Sequence, residues 1–179
     1  MKSDGLIYGV LGLFGLLYLY SRTDQGSQTI SDLEAGIVNL PSGARGIRNN
    51  NPGNVRKSNT PWLGLAPQQT DPEFFQFVDM AHGVRTIAMI LETYSTKYGL
   101  DTVSGIVNRW APPSENDTVA YVSAVASAAN VAPDDALDLT DADTMFALVR
   151  AIIAHENGGI AAALIPDSTV RDGIALAGL

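Results

Sequence analysis

The stretch Thr140–Gly159, TDADTMFALVRAIIAHENGG, combines a helical pattern with a carboxylate placed for acid catalysis. Thr140 followed by Asp143 reads as a capping-box-like start. Met145, Leu148, Val149, Ile152 and Ile153 recur at the spacing of one apolar helix face. At about 100° per residue, Glu156 falls near the middle of that face. Gly158 and Gly159 supply a stop where a positive φ is needed. Apolar neighbours and the negative end of the helix dipole both disfavour a charged carboxylate there. They favour a protonated side chain that can donate a proton. On this reading Glu156→Gln leaves folding intact or improves it, because an ionisable group leaves an apolar face. The alternative is a frayed helix end with Glu156 simply solvated.

Other reaction types lack their residues. The only histidines are His82 and His155, and there is no cysteine. Disulfides, thiolate metal sites and cysteine nucleophiles are thereby excluded, and two histidines make a poor zinc set. No GxSxG, P-loop or GxGxxG is present, and no metal or cofactor is expected. Carboxylate acid/base chemistry remains, with Glu156 first and Glu115, Glu73 and Glu92 behind it. Glu115 precedes a helix start, where the charged form is stabilised.

The elements that must position such a group are mostly helices. Helical periodicity runs from about Ala81 to Tyr98 and ends at Gly99. Asp101 is expected to cap a second helix carrying Val103, Ile106, Val107 and Trp110, stopped by Pro112 and Pro113. Asn116 or Asp117 caps a third, with Tyr121, Val122 and Val125 inward. A short helical turn is expected at Asp134–Leu139, and a last helix capped by Ser168. Before these lies Arg45–Arg56, RGIRNNNPGNVR, too rich in Asn, Gly and Pro for regular helix or strand. The amides of Asn49, Asn50, Asn51 and Asn54 either meet a polar ligand or bond their own backbone in turns. Phe75 and Phe77 alternate as in a short hairpin or extended lip, and Trp62 is either a stacking platform or a core lid.

The chain has 179 residues, 46% of them hydrophobic and 17% charged. That suffices for one domain and a tail. A net charge of -8 argues against a nucleic-acid partner. Gly5–Tyr20 is a 16-residue uncharged block, flanked by Lys2 and Arg22, which can snorkel. It is short of the roughly 20 residues of a comfortable span. No small-x-small site follows Tyr20, so an uncleaved anchor in a lipid bilayer through residues 5–20 is preferred to a signal peptide. A buried core helix is the alternative. The expected organisation is an anchor at 1–22, a polar linker at 23–44 holding one short helix capped by Ser31, and a helical domain at 45–179. Six to eight helices with almost no strand signal make that domain mainly α or α+β.

Several segments resemble lytic transglycosylases of the lysozyme-like superfamily. AIIAHENGG is similar to their AxIxxESG segment, in which a glutamate closing a helix is the acid/base. GIRNNNPGN is similar to their glycine-led cleft motif. GLDTVSGIVNRW, with Asn108, resembles the helix bearing their Ala-Tyr-Asn motif. SENDTVAYVSAV resembles their final Glu-Thr-x-x-Tyr-Val helix. The glutamate helix comes last here, which implies a circular permutation over about Gly46–Gly159. RGIRNNNPGN followed by a WAPPSENDT stretch also looks like phage virion-associated wall-degrading proteins. Asn157 stands in place of the family's serine, and Val107 in place of the tyrosine before Asn108.

The resemblance implies a permuted lysozyme-like fold and cleavage of peptidoglycan glycan strands between N-acetylmuramic acid and N-acetylglucosamine. Glu156 would be acid and then base, Asn50, Asn51 and Asn108 would contact sugar, and Tyr121 would orient Glu156. The implied location is a virion membrane or a cell envelope. A hydrolase with Asp71, Glu73 or Glu115 as second carboxylate is one alternative. A non-catalytic glycan-binding or structural virion module and a membrane-tethered regulatory domain are the others.

Overall fold

A computed structural model of the chain describes residues 43–114 and 117–179. The expected anchor at 1–22, the linker and its short helix, and Glu115 and Asn116 lie outside the described residues. Residues Gly43–Leu179 form one compact unit. It is mainly helical, with α1 Arg45–Arg48, α2 Met80–Tyr98, α3 Val103–Trp110, α4 Thr118–Ala129, α5 Ala142–Asn157, α6 Gly159–Ala163 and α7 Asp167–Leu176. Among the described residues no helix is long and apolar enough to cross a membrane.

Periodicity found the long helices; the caps moved by a residue. Asp79 starts α2 by accepting from the His82 N–H. Gly99, at φ 63°, ends it in the left-handed conformation that glycine adopts without a Cβ penalty. Thr102, not Asp101, caps α3 through the Gly105 N–H. Asp117 caps α4. Asp141 caps α5 by accepting from Thr144, so the expected Thr140–Asp143 box is replaced by a cap one residue later. Thr140 instead bonds Asp138. Pro166 precedes α7 and no side chain caps it; Ser168, the expected cap, lies within the helix. Asp134–Leu139 is not helical: Asp135 accepts from the Ala132 N–H and closes a turn that competes with the helix.

The apolar face of α5 is the centre of the core. Met145, Leu148, Val149, Ile152 and Ile153 are all at most 1% exposed. Burying each such side chain is worth roughly 1.5–3 kcal/mol. The helix packs against α1, α2, α4, α6 and α7, and α2 packs closely on α7. Val84, Ile87, Leu91, Val103, Ile106, Tyr121 and Val125 complete the cluster.

Residues 43–78 are built differently. The RGIR start, expected to be loop, is a single helical turn. The rest has only two isolated antiparallel bridges among the described residues, Arg56 with Phe74 and Leu65 with Phe77. Side chains supply the order that a sheet would otherwise give. Asn51 is fully buried; its Nδ2 donates to the carbonyls of Val55 and Phe75, and its Oδ1 accepts from the Val55 N–H. Gln69 and Asp71 likewise bond the backbone of residues 73–76. This lip lies hard against the helices. A Cβ on Gly83 of α2 would sit 1.9 Å from the Asn50 carbonyl oxygen, so only glycine fits.

Candidate functional site

Glu156 lies in the last turn of α5, one residue before its end. Its side chain does not enter apolar surroundings as the periodicity suggested. Three donors converge on the carboxylate. Trp110 Nε1, at the end of α3, donates to Oε1 at 3.1 Å. The hydroxyl of Tyr121, in the first turns of α4, donates to the same oxygen at 3.1 Å. Asn54 Nδ2 donates to Oε2 at 3.0 Å. The helix wheel placed Glu156 correctly on the face turned toward α3 and α4. It did not show that these neighbours present an indole N–H, a phenol and an amide. The expectation that Glu156→Gln improves folding is therefore corrected. A glutamine would turn an NH₂ toward at least one donor, leaving part of the set unsatisfied.

Each donor is fixed by its own surroundings. Tyr121 is 2% exposed. Burial, reinforced by the Glu156 carboxylate, pushes its phenol far above the ordinary ionisation range, so it is a neutral donor at every relevant pH. The ring of His155 stacks on it, with centroids 3.5 Å apart and planes tilted by 13°. Asn54 sits at φ 46°, a left-handed conformation that asparagine tolerates better than most side chains. Its Oδ1 is buried with no hydrogen-bond partner, and so is that of Asn157. Both oxygens abut Gly46 of α1: a Cβ there would lie 2.4 Å from Asn157 Oδ1 and 2.9 Å from Asn54 Oδ1. The absent side chain at Gly46 is what admits both amides. Asn157 Nδ2 then donates to the Pro52 and Ile153 carbonyls, pinning the asparagine-rich loop to the end of α5.

Glu156 opens onto a cleft of about 430 Å³ whose walls include Asn54, Arg56, Phe74, Tyr94 and Trp110. Glu156 is the only carboxylate among the described residues lining it. Asp71 and Glu73 are bound elsewhere: Arg45 forms a two-point fork with Asp71 at 2.8 Å and reaches Glu73 at 2.8 Å. Lys57 Nζ meets the Asp71 carbonyl. Among the described residues no group of three metal-ligating side chains comes together.

Of the residues singled out in the sequence, the fold brings Tyr121 to Glu156. Asn50 and Asn51 do not line the cleft. The Asn50 amide donates to the Phe77 carbonyl, and Asn51 is enclosed in the lip. Asn108 is exposed, donates to the Ser104 carbonyl, and lines a separate depression of about 330 Å³ with Pro113 and Asp117. Trp62 is half-buried and away from the cleft walls, its indole N–H buried without a partner. Sequence reasoning missed Asn54 and Trp110 as partners of Glu156. Trp110 carried a usable signal, an aromatic N–H donor at the last helical position before Ala-Pro-Pro. Asn54 carried none that set it apart from its three neighbours.

No protein-family model matches the chain. A search of curated proteins finds Protein P5 of Pseudoalteromonas phage PM2, 41% identical over 130 residues that cover 69% of this chain and 79% of P5. With that identity over most of both sequences, on a helical unit that closes on a three-donor glutamate, the chain belongs to the family of this phage protein.

Proposed function

We propose that the protein is a peptidoglycan lytic transglycosylase on a permuted lysozyme-like helical domain, tied to a membrane by residues 5–20 and carried in a phage virion to open the wall locally. The observation that supports this most is a carboxylate, single among the described lining residues, in an open, aromatic-walled cleft and held by Asn54, Trp110 and Tyr121. Oε1 accepts from two donors and Oε2 from one. A carboxylate has about four lone-pair sites, so Oε2 keeps one free. On this reading that oxygen is the one that transfers the proton. It protonates the glycosidic oxygen as the bond between N-acetylmuramic acid and N-acetylglucosamine breaks, while the 2-acetamido group assists at the anomeric carbon. The carboxylate so formed removes the proton from the C6 hydroxyl, which closes a 1,6-anhydro ring. No second carboxylate is required, in contrast to two-carboxylate hydrolases. The Trp110 and Tyr121 bonds hold the acid in one orientation, which general acid catalysis needs. The phage relative supports the virion setting.

The same three bonds also suit a second reading. They tie α3, α4 and the asparagine loop to α5, as a structural carboxylate in a non-catalytic glycan-binding virion module would. Digestion of purified peptidoglycan, followed by mass spectrometry, separates the readings. Muropeptides lighter by one water, formed by the natural chain and reduced at least 10³-fold in Glu156→Gln, are expected. Reducing-end products would replace the transglycosylase with a hydrolase. Binding without products from the natural chain would favour the non-catalytic module.

A further inference from the structure

The chain is acidic, with 11 lysines and arginines against 19 aspartates and glutamates, yet it keeps a cation beside Glu156. Two arginines stack on Phe74, Arg45 at 4.4 Å and Arg56 at 5.1 Å from the ring centroid. Their charges are used differently. Arg45 is neutralised by Asp71 and Glu73. Arg56 is exposed and lines the cleft with Glu156. It pairs by backbone with Phe74, and no carboxylate among the described residues contacts it. The aromatic face restrains the guanidinium without satisfying its five N–H donors.

A planar guanidinium is matched bidentately by a carboxylate. A neutral polysaccharide offers none, and a chain of net charge -8 repels an anionic polymer unless a local cation offsets it. We propose that Arg56 is a specificity residue that receives a carboxylate of the muramyl unit in the cleft. This inference rests on the glycan-cleaving reading above. Two sources share the chemistry: the free lactyl carboxylate of strands without peptide, and the acidic groups of the peptide that extends from it.

The test is calorimetric titration of the full-length Glu156→Gln chain, so that ligand is not consumed. Three tetrasaccharides serve as ligands: an N-acetylglucosamine tetramer, a muramyl tetramer with free lactyl groups, and the same tetramer with its peptides. The carboxylate-bearing ligands are expected to bind about tenfold more tightly than the neutral one. Whichever of the two binds more tightly identifies the source. Arg56→Gln removes the difference, and Arg56→Lys retains part of it. In the catalytically intact chain Arg56→Gln raises KM about tenfold and leaves kcat within about twofold. Equal affinity for the neutral and acidic tetramers, a comparison that needs no arginine variant, overturns the inference and leaves the glycan reading standing. So does an equal loss for all ligands in Arg56→Gln. If no tetramer binds and none is cleaved, the glycan reading itself fails and the inference with it.

Discussion

The helical body from Met80 onward and the lip at residues 43–78 reach a fixed backbone by different physics. In the body, apolar side chains at helical spacing fill one core, and the backbone satisfies itself within each helix. In the lip there is little regular structure, and amide side chains replace sheet hydrogen bonds. Asn51 alone engages three backbone groups of Val55 and Phe75. The body tolerates surface change because its order comes from burial. The lip depends on a few polar atoms, each with a single geometry. The candidate site sits on the seam. Glu156, Trp110 and Tyr121 come from helices, while Asn54, Arg56 and Phe74 come from the lip.

Substitutions at matched depth sharpen this contrast. Leu148→Ala in α5 should destabilise the whole unit by about 2–5 kcal/mol. Hydrogen exchange of body and lip should then accelerate together. Asn51→Ala strands three backbone groups, one buried and two part-buried, and should cost about 2–4 kcal/mol, confined to the lip. The measurement is site-resolved exchange: fast amides at residues 49–78 with α2 and α5 still protected. If Asn51→Ala instead loosens α5 as much as Leu148→Ala does, the two regions are one cooperative unit. On the proposed reading, Gly46→Ala, which drives a Cβ against Asn54 and Asn157, should lower wall cleavage even in protein that stays folded, because it displaces a donor of Glu156.

Tyr121→Phe removes one of the two donors to Oε1 while keeping the buried ring. About 1 kcal/mol of stability is expected to be lost, and on the proposed reading cleavage should fall about tenfold or more. Unchanged cleavage would reduce Tyr121 to a packing residue.

The smallest effect at neutral pH is the most specific to the lip. The Arg45 fork, helped by Asn49 and the N–H groups of Phe74 and Glu73, outweighs desolvation and holds the Asp71 carboxyl well below the usual carboxylate range. Its contribution is fully present above the unfolded-state value of about 3.9 and is lost as pH falls from there toward the depressed folded value. Acid should therefore loosen the lip only below about pH 4. Asp71→Asn should lack that transition and have a looser lip at neutral pH. Lip exchange that is flat with pH in the natural chain would remove Asp71 from this role.

Much of the body was legible because burial leaves a period in the sequence. Val84, Ile87 and Leu91, and the five apolar residues of α5, could be assigned to a core from spacing alone and are buried, whereas Tyr94 and Tyr98, at the same spacing, are half-buried and exposed. Caps shifted by one residue, as at Thr102 and Asp141, because neighbouring polar residues compete for the same orphan N–H groups. The lip was illegible in detail for a related reason. Four asparagines within six positions look alike, and whether an amide bonds backbone, a carboxylate or a ligand depends on what lies opposite it. Asn51 faces Val55 and Phe75, Asn54 faces Glu156, and Asn50 faces Phe77.

By itself, the sequence determined the long helices, their buried faces, the absence of cysteine chemistry and the standing of Glu156 as the carboxylate to watch. Those are properties of local spacing and residue type, written within one or two turns of chain. Only the tertiary structure decided that Trp110, Tyr121 and Asn54 meet at Glu156, and that Asp71 and Glu73 are taken up by Arg45 while Arg56 is left to the cleft. Those pairings join residues 26 to 102 positions apart. Hydrogen bonds of that kind depend on distance and direction in space, and no periodicity along the chain encodes either.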